Sequence, residues 1–189
     1  MLQSASRYLP EASCNLLDWI NTRTTVMLRL ISWRHALPAR QNVKQVTNVT
    51  VLKGAAGLHV IEYRTGNKLD LDQVIELYRA STLGERRPVE ERERMGEMLR
   101  NANLVITAWD GNLLVGISRS VSDFAYCTYL SDLAVRLSHQ RRGIGKELVR
   151  LTKLESGPKT TVILLSAPKA VDYYPHIGFT QHPSAWTLR

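Results

Sequence analysis

The sequence predicts an α/β (α+β) domain built on a mixed sheet, and three observations carry that reading. A β-hairpin is legible at 104–121. A strand, a glycine-containing basic turn and a helix follow one another between 125 and 155, ahead of a further apolar strand at 160–165. Strands and helices alternate late in the chain but not early, which makes the sheet mixed. The 189 residues fit one domain with a short appendage, since domains run to about 100–200 residues.

The elements read in order as follows. Leu58-His59-Val60-Ile61-Glu62-Tyr63 alternates apolar and polar residues like a strand. From Asp70 to Leu83, the apolar residues Leu71, Val74, Ile75, Leu77 and Tyr78 recur at helical spacing until Gly84 breaks it. Pro88 followed by Val89-Glu90-Glu91 reads as a helix start running to about Asn101, with acids near the positive end of the helix dipole. Leu104–Trp109 is rich in β-formers, Asp110-Gly111-Asn112 is a turn, and strand character resumes from Leu113 to Val121. Ala125 to Val135 is the next strand. Residues 145–155 form a helix with Leu148, Val149, Leu151 and Thr152 on one side. Thr160–Leu165 is an apolar strand, Lys169–His176 a short helix, and Phe179 opens a last short strand.

Composition bounds the function. Hydrophobic residues at 44% and charged residues at 22% are ordinary globular usage and exclude full-length disorder. No apolar run approaches the roughly 18 residues of a membrane span, so no membrane association is expected. Two cysteines, Cys14 and Cys127, supply neither a disulfide framework nor a four-ligand zinc site; no metal is expected, and a reducing, intracellular setting is the default. The net charge is +8, but it is unevenly placed. Residues 1–57 hold seven Arg/Lys against two acids, whereas 58–189 hold eighteen against fifteen, so the body is only mildly basic and nucleic acid is not the expected partner.

Residues 1–57 therefore read as a basic N-terminal extension ahead of a domain at 58–189. Arginine-rich, Ser/Thr-containing and acid-poor sequence is the composition of an organellar transit peptide. A disordered basic tail or an upstream start reads equally into it. The expected compartment is the cytoplasm, or a plastid or other organelle if the extension is a leader.

The chemistry is concentrated in Leu133-Ala134-Val135 and the turn Gln140-Arg141-Arg142-Gly143-Ile144-Gly145-Lys146. Glycines there admit backbone angles closed to other residues and let a ligand approach the chain. The first amides of the following helix have no internal partner, and with the helix dipole they form an anion site. Arg141, Arg142 and Lys146 add charge, and a diphosphate is the natural guest. The spacing is neither that of a Walker A loop, because residue 147 is Glu, nor Gly-x-Gly-x-x-Gly, because residue 148 is Leu. The bland alternative is a solvated glycine turn. Some thirty residues on, Tyr173-Tyr174-Pro175-His176-Ile177-Gly178-Phe179 closes a short helix at Gly178. Core packing is the ordinary fate of such paired tyrosines.

In this order, the two pieces resemble the GNAT superfamily of acetyl-CoA-dependent N-acetyltransferases. Gln140 to Gly145 matches its Gln/Arg-x-x-Gly-x-Gly/Ala loop, Leu133–Val135 its preceding strand, and Tyr174-x-x-x-Gly178-Phe179 its late helix and strand. The resemblance spans about residues 59–187. Within the superfamily, the Ser131–Val135 strand and the Val171–Tyr174 helix look most like the plastid and cyanobacterial arylalkylamine (serotonin-type) enzymes. It implies a mostly antiparallel sheet of six to seven strands flanked by about four helices, with a V-shaped splay between the strand ending at Val135 and the strand 160–165. Acetyl-CoA would lie in the splay as cosubstrate. By the match, Leu133, Ala134 and Val135 contact its pantetheine arm, and an amide at or beside Leu133 polarises the thioester carbonyl. Gln140, Arg141, Arg142, Gly143, Ile144, Gly145 and Lys146 hold the diphosphate, with Tyr173 beside them. Where many relatives have Asn, this chain has Ala167, and Ser166 is the substitute; where many have Glu, it has Ser131.

The implied reaction is direct attack of a primary amine on the thioester. Tyr174 matches the family's proton donor to the departing thiolate. Asp132 is the candidate base, or else structural, because its side chain points away from Leu133's face; Tyr129 or a water relay are the alternatives. A small, arylalkyl amine is the first expectation for the acceptor. Acetylation of a protein lysine or N-terminus, and a non-catalytic acyl-CoA-binding module, are the competing ones. Relatives are often dimers, so a homodimer is the expected assembly. Arg86, Arg87 and Pro88 are expected either to face the acceptor or simply to be solvated.

Overall fold

The computed structural model describes residues 48–54 and 57–188. Six strands form one sheet in the order β1-β2-β3-β4-β5-β6: Asn48–Gly54, Gly57–Thr65, Leu104–Asp110, Leu113–Ser122, Cys127–Val135 and Thr161–Ile163. Every neighbouring pair is antiparallel except β5 and β6, which are parallel. The helices are α1 (Leu71–Arg79), α2 (Arg92–Arg100), α3 (Ile144–Ser156) and α4 (Tyr173–His176). The mixed, mostly antiparallel sheet of the expected fold is thus present. The sheet begins at Asn48, ahead of the Leu58 boundary that composition suggested. The rest of the basic extension, with its transit-peptide reading, lies outside the described residues.

Local chemistry explains the boundaries. Asp70 caps α1 by accepting from the Asp72 amide at 2.8 Å. The helix ends at Arg79, and a 3-10 turn at Thr82–Arg86 replaces the last turn that the periodicity predicted. Pro88 opens a tight turn rather than α2: the Val89 amide donates to Arg87 O at 2.8 Å and the Glu91 amide to Pro88 O at 2.9 Å. Gly111, with φ +57°, closes the β3–β4 hairpin where a side chain would be strained. Asp123 gathers the amides of Ala125, Tyr126 and Cys127 on one carboxylate oxygen, which delays β5 to Cys127.

Apolar residues cover both faces of the sheet. On one face, Val74, Leu77 and Tyr78 of α1 and Met95 and Leu99 of α2 pack on Val105, Trp109, Leu114, Ile117 and Ala134. On the other, Ile144, Leu148 and Leu151 of α3 pack on Ile61, Tyr63, Ile106, Ala108 and Val115, with Leu133 and Val135 at the margin. α3 lies close because β4 carries Gly116 beneath it: a Cβ there would come within 3.0 Å of Leu148 Cδ1. Two late expectations are corrected. The strand predicted at 160–165 is only Thr161–Ile163, and no strand forms from Phe179 onward among the described residues. Pro183 lacks a donor for a ladder, and Trp186 and Leu188 are fully exposed, so nothing recruits that segment to the sheet.

Leu148 is the fully buried centre of α3's contact with the sheet. Leu148→Ala is expected to lower the unfolding free energy by about 2–5 kcal/mol, read as a drop in the urea midpoint with an unchanged slope.

Candidate active site

Two features of β5 build the site. The first is where it parts from β6. The parallel ladder joins only Cys127–Tyr129 to Thr161–Ile163. Beyond Tyr129, β5 keeps β4 on one side and has no ladder partner on the other, among the described residues. Alternate amides and carbonyls of a strand point to each edge, so this stretch offers main-chain donors and acceptors to an extended ligand. Leu133, Ala134 and Val135 lie on it. The Val135 carbonyl accepts from Gln140 Nε2 at 3.0 Å, which ties the strand to the loop that follows.

The second feature is a β-bulge. Arg119 faces Asp132 but Ser120 faces Leu130, leaving Ser131 as an extra residue on β5. The bulge shifts the alternation of side chains. Asp132 turns toward α1 and is fully buried, while Leu133 packs toward α3.

Asp132 is the hub of a buried polar cluster. Its Oδ1 accepts from Arg87 Nε at 2.5 Å, and its Oδ2 accepts from Tyr78 Oη at 2.8 Å and from Arg119 Nε. Arg119 also donates to Ser131 Oγ at 2.9 Å and to the Met98 carbonyl at 3.1 Å. Arg87 donates to the Ser131 carbonyl at 2.8 Å and to the Arg86 carbonyl at 2.8 Å. Burial, and then the neighbouring carboxylate, push the Tyr78 hydroxyl's pKa up, so it stays a donor. Burial opposes Arg119's charge, yet the Asp132 carboxylate more than offsets this and raises its pKa. Sequence reasoning left Arg87 as acceptor-facing or solvated and did not single out Tyr78 or Arg119. The only available signal was that a buried acid requires cations.

The basic turn adopts the backbone that its glycines allow. Arg141 has φ +60° and Gly143 φ +81°. Left-handed residues of this kind on either side of Arg142 belong to the alternating conformations that turn amides into an anion-binding concavity. Gly143 is the N-cap of α3 and has no side chain to satisfy the first amides of that 13-residue helix. At Gly145 a Cβ would stand 2.8 Å from Tyr173 Oη, so the glycine makes room for α4's tyrosine above the helix start. A cleft of about 690 Å³ runs along α3 from Arg142, Gly143 and Lys146 past Val149 to Val162, closed by Ile177 and Phe179. No local pattern of residues signals this apolar wall.

α4 places the remaining candidates. Tyr174 is half-buried and packs edge-on against Phe179 with ring centroids 5.5 Å apart, and Gly178 (φ +96°) lets the chain fold back for this contact. Burial raises the Tyr174 pKa, against an opposing pull from Arg86. Ser166 lies part-buried in the segment after β6. Tyr129 stands on β5 with 41% exposure. His139 is held by Ser138 and Asp110, and Cys127 lies beside Asp123. No group of three metal-ligating side chains occurs among the described residues, and none of their helices is long and apolar enough to cross a membrane.

An open edge on β5 thus lies beside an uncapped helix start that carries Arg141, Arg142 and Lys146. The family model described as an acetyltransferase (GNAT) domain matches residues 74–186, and the chain belongs to that family. A ycf52-like N-acetyltransferase of Prochlorococcus marinus is 27% identical over 128 residues, covering 65% of this chain and 67% of that protein. An N-acetyltransferase ycf52 of Gracilaria tenuistipitata is 29% identical over 72 residues, 37% of this chain, and the match spans only 40% of that relative's length. Among solved structures, a GNAT-family acetyltransferase of Streptococcus pneumoniae shares 25% identity at a TM-score of 0.53, covering 68% of this chain and 98% of the other. The aminoglycoside N-acetyltransferase AAC(6')-Iy, solved in complex with CoA, has the same fold at 16% identity and a TM-score of 0.55, covering 68% of this chain and 93% of the other.

Gly145→Val would drive a branched side chain into the space held by the Tyr173 hydroxyl. The expected outcome is a loss of CoA affinity of roughly tenfold or more by calorimetry, with the protein still folded by circular dichroism.

Proposed function

We propose that the chain transfers an acetyl group from acetyl-CoA to a small primary amine, by direct attack within a ternary complex. The observation that carries the reading is the parting of β5 from β6 at Tyr129 beside the uncapped start of α3. In this reading, the open edge at Leu133–Val135 pairs with the pantetheine arm. The amides of Ile144, Gly145 and Lys146, with Arg141, Arg142 and Lys146 side chains, take the diphosphate. Val149, Val162 and Phe179 offer an apolar wall beside it. Ser166 and Tyr173 border the same site.

The residues divide the chemistry as follows. An amide at or next to Leu133 stabilises the oxyanion formed as the neutral amine attacks. The tetrahedral species collapses with cleavage of the carbon–sulfur bond, and Tyr174 hands its proton to the sulfur. The proton lost by the amine passes to water, and water returns a proton to the Tyr174 phenolate. Asp132 is ill placed to receive it, because both its oxygens already accept from arginines. We therefore give Asp132 a positioning role.

The acceptor side supports an apolar amine. Val121, Tyr129 and Ile163 are register neighbours on one face of β4, β5 and β6, and are 48%, 41% and 51% exposed. They form an apolar shelf on the face that carries Arg119 and Asp132. The carboxylate of β5 on that face is spent on arginines, so the shelf suits an arylalkyl amine better than a polycation. We take the catalytic domain to begin at β1, the compartment to be the cytoplasm unless the basic extension is a leader, and the assembly to be a homodimer.

The test is a thermal-shift titration of the full chain. Saturable stabilisation by acetyl-CoA and CoA, but not by ATP or NAD, is expected, about 2.7 kcal/mol at a hundredfold excess over Kd. No shift at millimolar acetyl-CoA would overturn the reading. Among acceptors, tyramine and serotonin should be turned over in preference to an aminoglycoside or a lysine peptide.

Tyr174→Phe is expected to cost about 10²-fold or more in kcat with little change in KM for acetyl-CoA. Burial holds the Tyr174 proton beyond the ordinary tyrosine value of 10.0. The rate should therefore climb with pH as the acceptor amine deprotonates, with no fall where a free tyrosine would ionise. A fall in rate near pH 10 in the wild type, after the rise has levelled off, would count against Tyr174 as the donor.

A further inference from the structure

Arg87 is the one side chain of the turn between α1 and α2 that reaches β5 by hydrogen bonds the structure shows, and it does so at the bulge. Its guanidinium makes a fork: Nη2 donates to the Ser131 carbonyl and Nε to the Asp132 carboxylate. Ser131 is the extra residue of the bulge. A strand carbonyl ordinarily accepts from a neighbouring strand; this one accepts from a cation. Because the peptide is planar, the direction of the Ser131 carbonyl fixes that of the Asp132 amide and the start of the following segment. The Arg87 side chain retains only 21% exposure, and its third bond, to the Arg86 carbonyl, makes its own turn rigid.

Charge acts in the same sense. Two guanidinium groups, Arg87 and Arg119, meet the single Asp132 carboxylate. One positive charge is left over behind the bulge, where burial reduces its screening by water. Such a charge favours negative charge developing on the open side of β5.

We propose that Arg87 is a positioning residue for acyl transfer. By holding the Ser131 carbonyl and Asp132 together it fixes the β5 bulge, and so aims the strand's open amides at the acyl carbonyl. It also couples that aim to the turn between α1 and α2 that flanks the acceptor. The inference rests on the acyl-transfer reading above. Asp132 is the anchor of this arrangement, which is why a carboxylate stands at a buried strand position without being free to take a proton.

The test uses the full-length protein and acetyl-CoA labelled with carbon-13 at the carbonyl. Infrared difference spectra read the polarisation of the bound carbonyl without needing the acceptor to be known. Wild type should shift the carbonyl stretch to lower frequency. Arg87→Gln should lose most of that shift and at least tenfold in kcat with tyramine, while its Kd for CoA stays within about threefold because residues 140–146 are untouched. Arg87→Lys, which keeps the charge but not the planar fork, should recover only part of both. Arg79→Gln is the control: it breaks the exposed Arg79–Glu90 pair that holds the same turn from outside and should leave shift and kcat unchanged. If Arg87→Gln folds and keeps the wild-type carbonyl shift, the inference fails alone. If Arg87→Lys restores both readouts fully, charge and not positioning is at work, and the inference fails. If Arg79→Gln loses as much as Arg87→Gln, anchoring of the turn is the cause, which also overturns it. A wild type that does not bind acetyl-CoA overturns the acyl-transfer reading itself.

Discussion

A carboxylate buried in a sheet must be neutralised, and the way Asp132 is neutralised organises this protein. Taking one charge out of water costs several kcal/mol unless partners replace the lost hydration. Here the partners come from three elements. Tyr78 reaches from α1, Arg87 from the turn ahead of α2, and Arg119 from β4, which in turn holds the last turn of α2 through the Met98 carbonyl. The cluster therefore fixes the position of both helices on that face and of the segment between them. Removing Asp132 would leave two guanidinium groups facing one another without a counter-charge, so the carboxylate is the member the cluster cannot lose.

The same cluster sits against the bulge, and the bulge is what makes β5 unlike its neighbours. With Ser131 inserted, the strand stays paired with β4 while its side-chain phase shifts, which lets Asp132 face α1 and Leu133 face α3. β6 follows β5 for only three residues before leaving it. Main-chain groups freed at that edge are exposed where α3 begins, and the left-handed residues Arg141 and Gly143 turn the start of α3 toward the same space. One strand thus carries an apolar core face, a buried ionic hub and an open hydrogen-bonding edge. A rigid strand backed by two packed faces is a suitable support for a reaction that depends on amides held in fixed directions.

The amount of the site legible in the sequence varied with the range of the interactions. The basic turn, the tyrosines and Gly178 were all readable, because their conformations are decided within a few residues by glycine, proline and helix ends. The late strand from Phe179 was expected and does not form, because a strand requires a partner edge, and local alternation says nothing about whether one is within reach. Pro88 was read as a helix start; it opens a turn instead, in a segment that Arg87 draws inward. Arg87 itself was expected to face the acceptor or to be solvated, since nothing next to it in the chain reveals a carboxylate 45 positions away.

By itself, the sequence determined the order of strands and helices from β2 to α4, the basic turn, the aromatic closure at α4 and the family to which these belong. Those features rest on backbone conformations that particular residues permit or forbid, which is a local property. Only the tertiary structure decided that Asp132 is enclosed, that Ser131 is extra, that β6 leaves β5 at Tyr129, and that Val121, Tyr129 and Ile163 make one apolar shelf. Each of these is a pairing across the sheet or between layers, and its free energy exists only once distant segments have excluded water from between them.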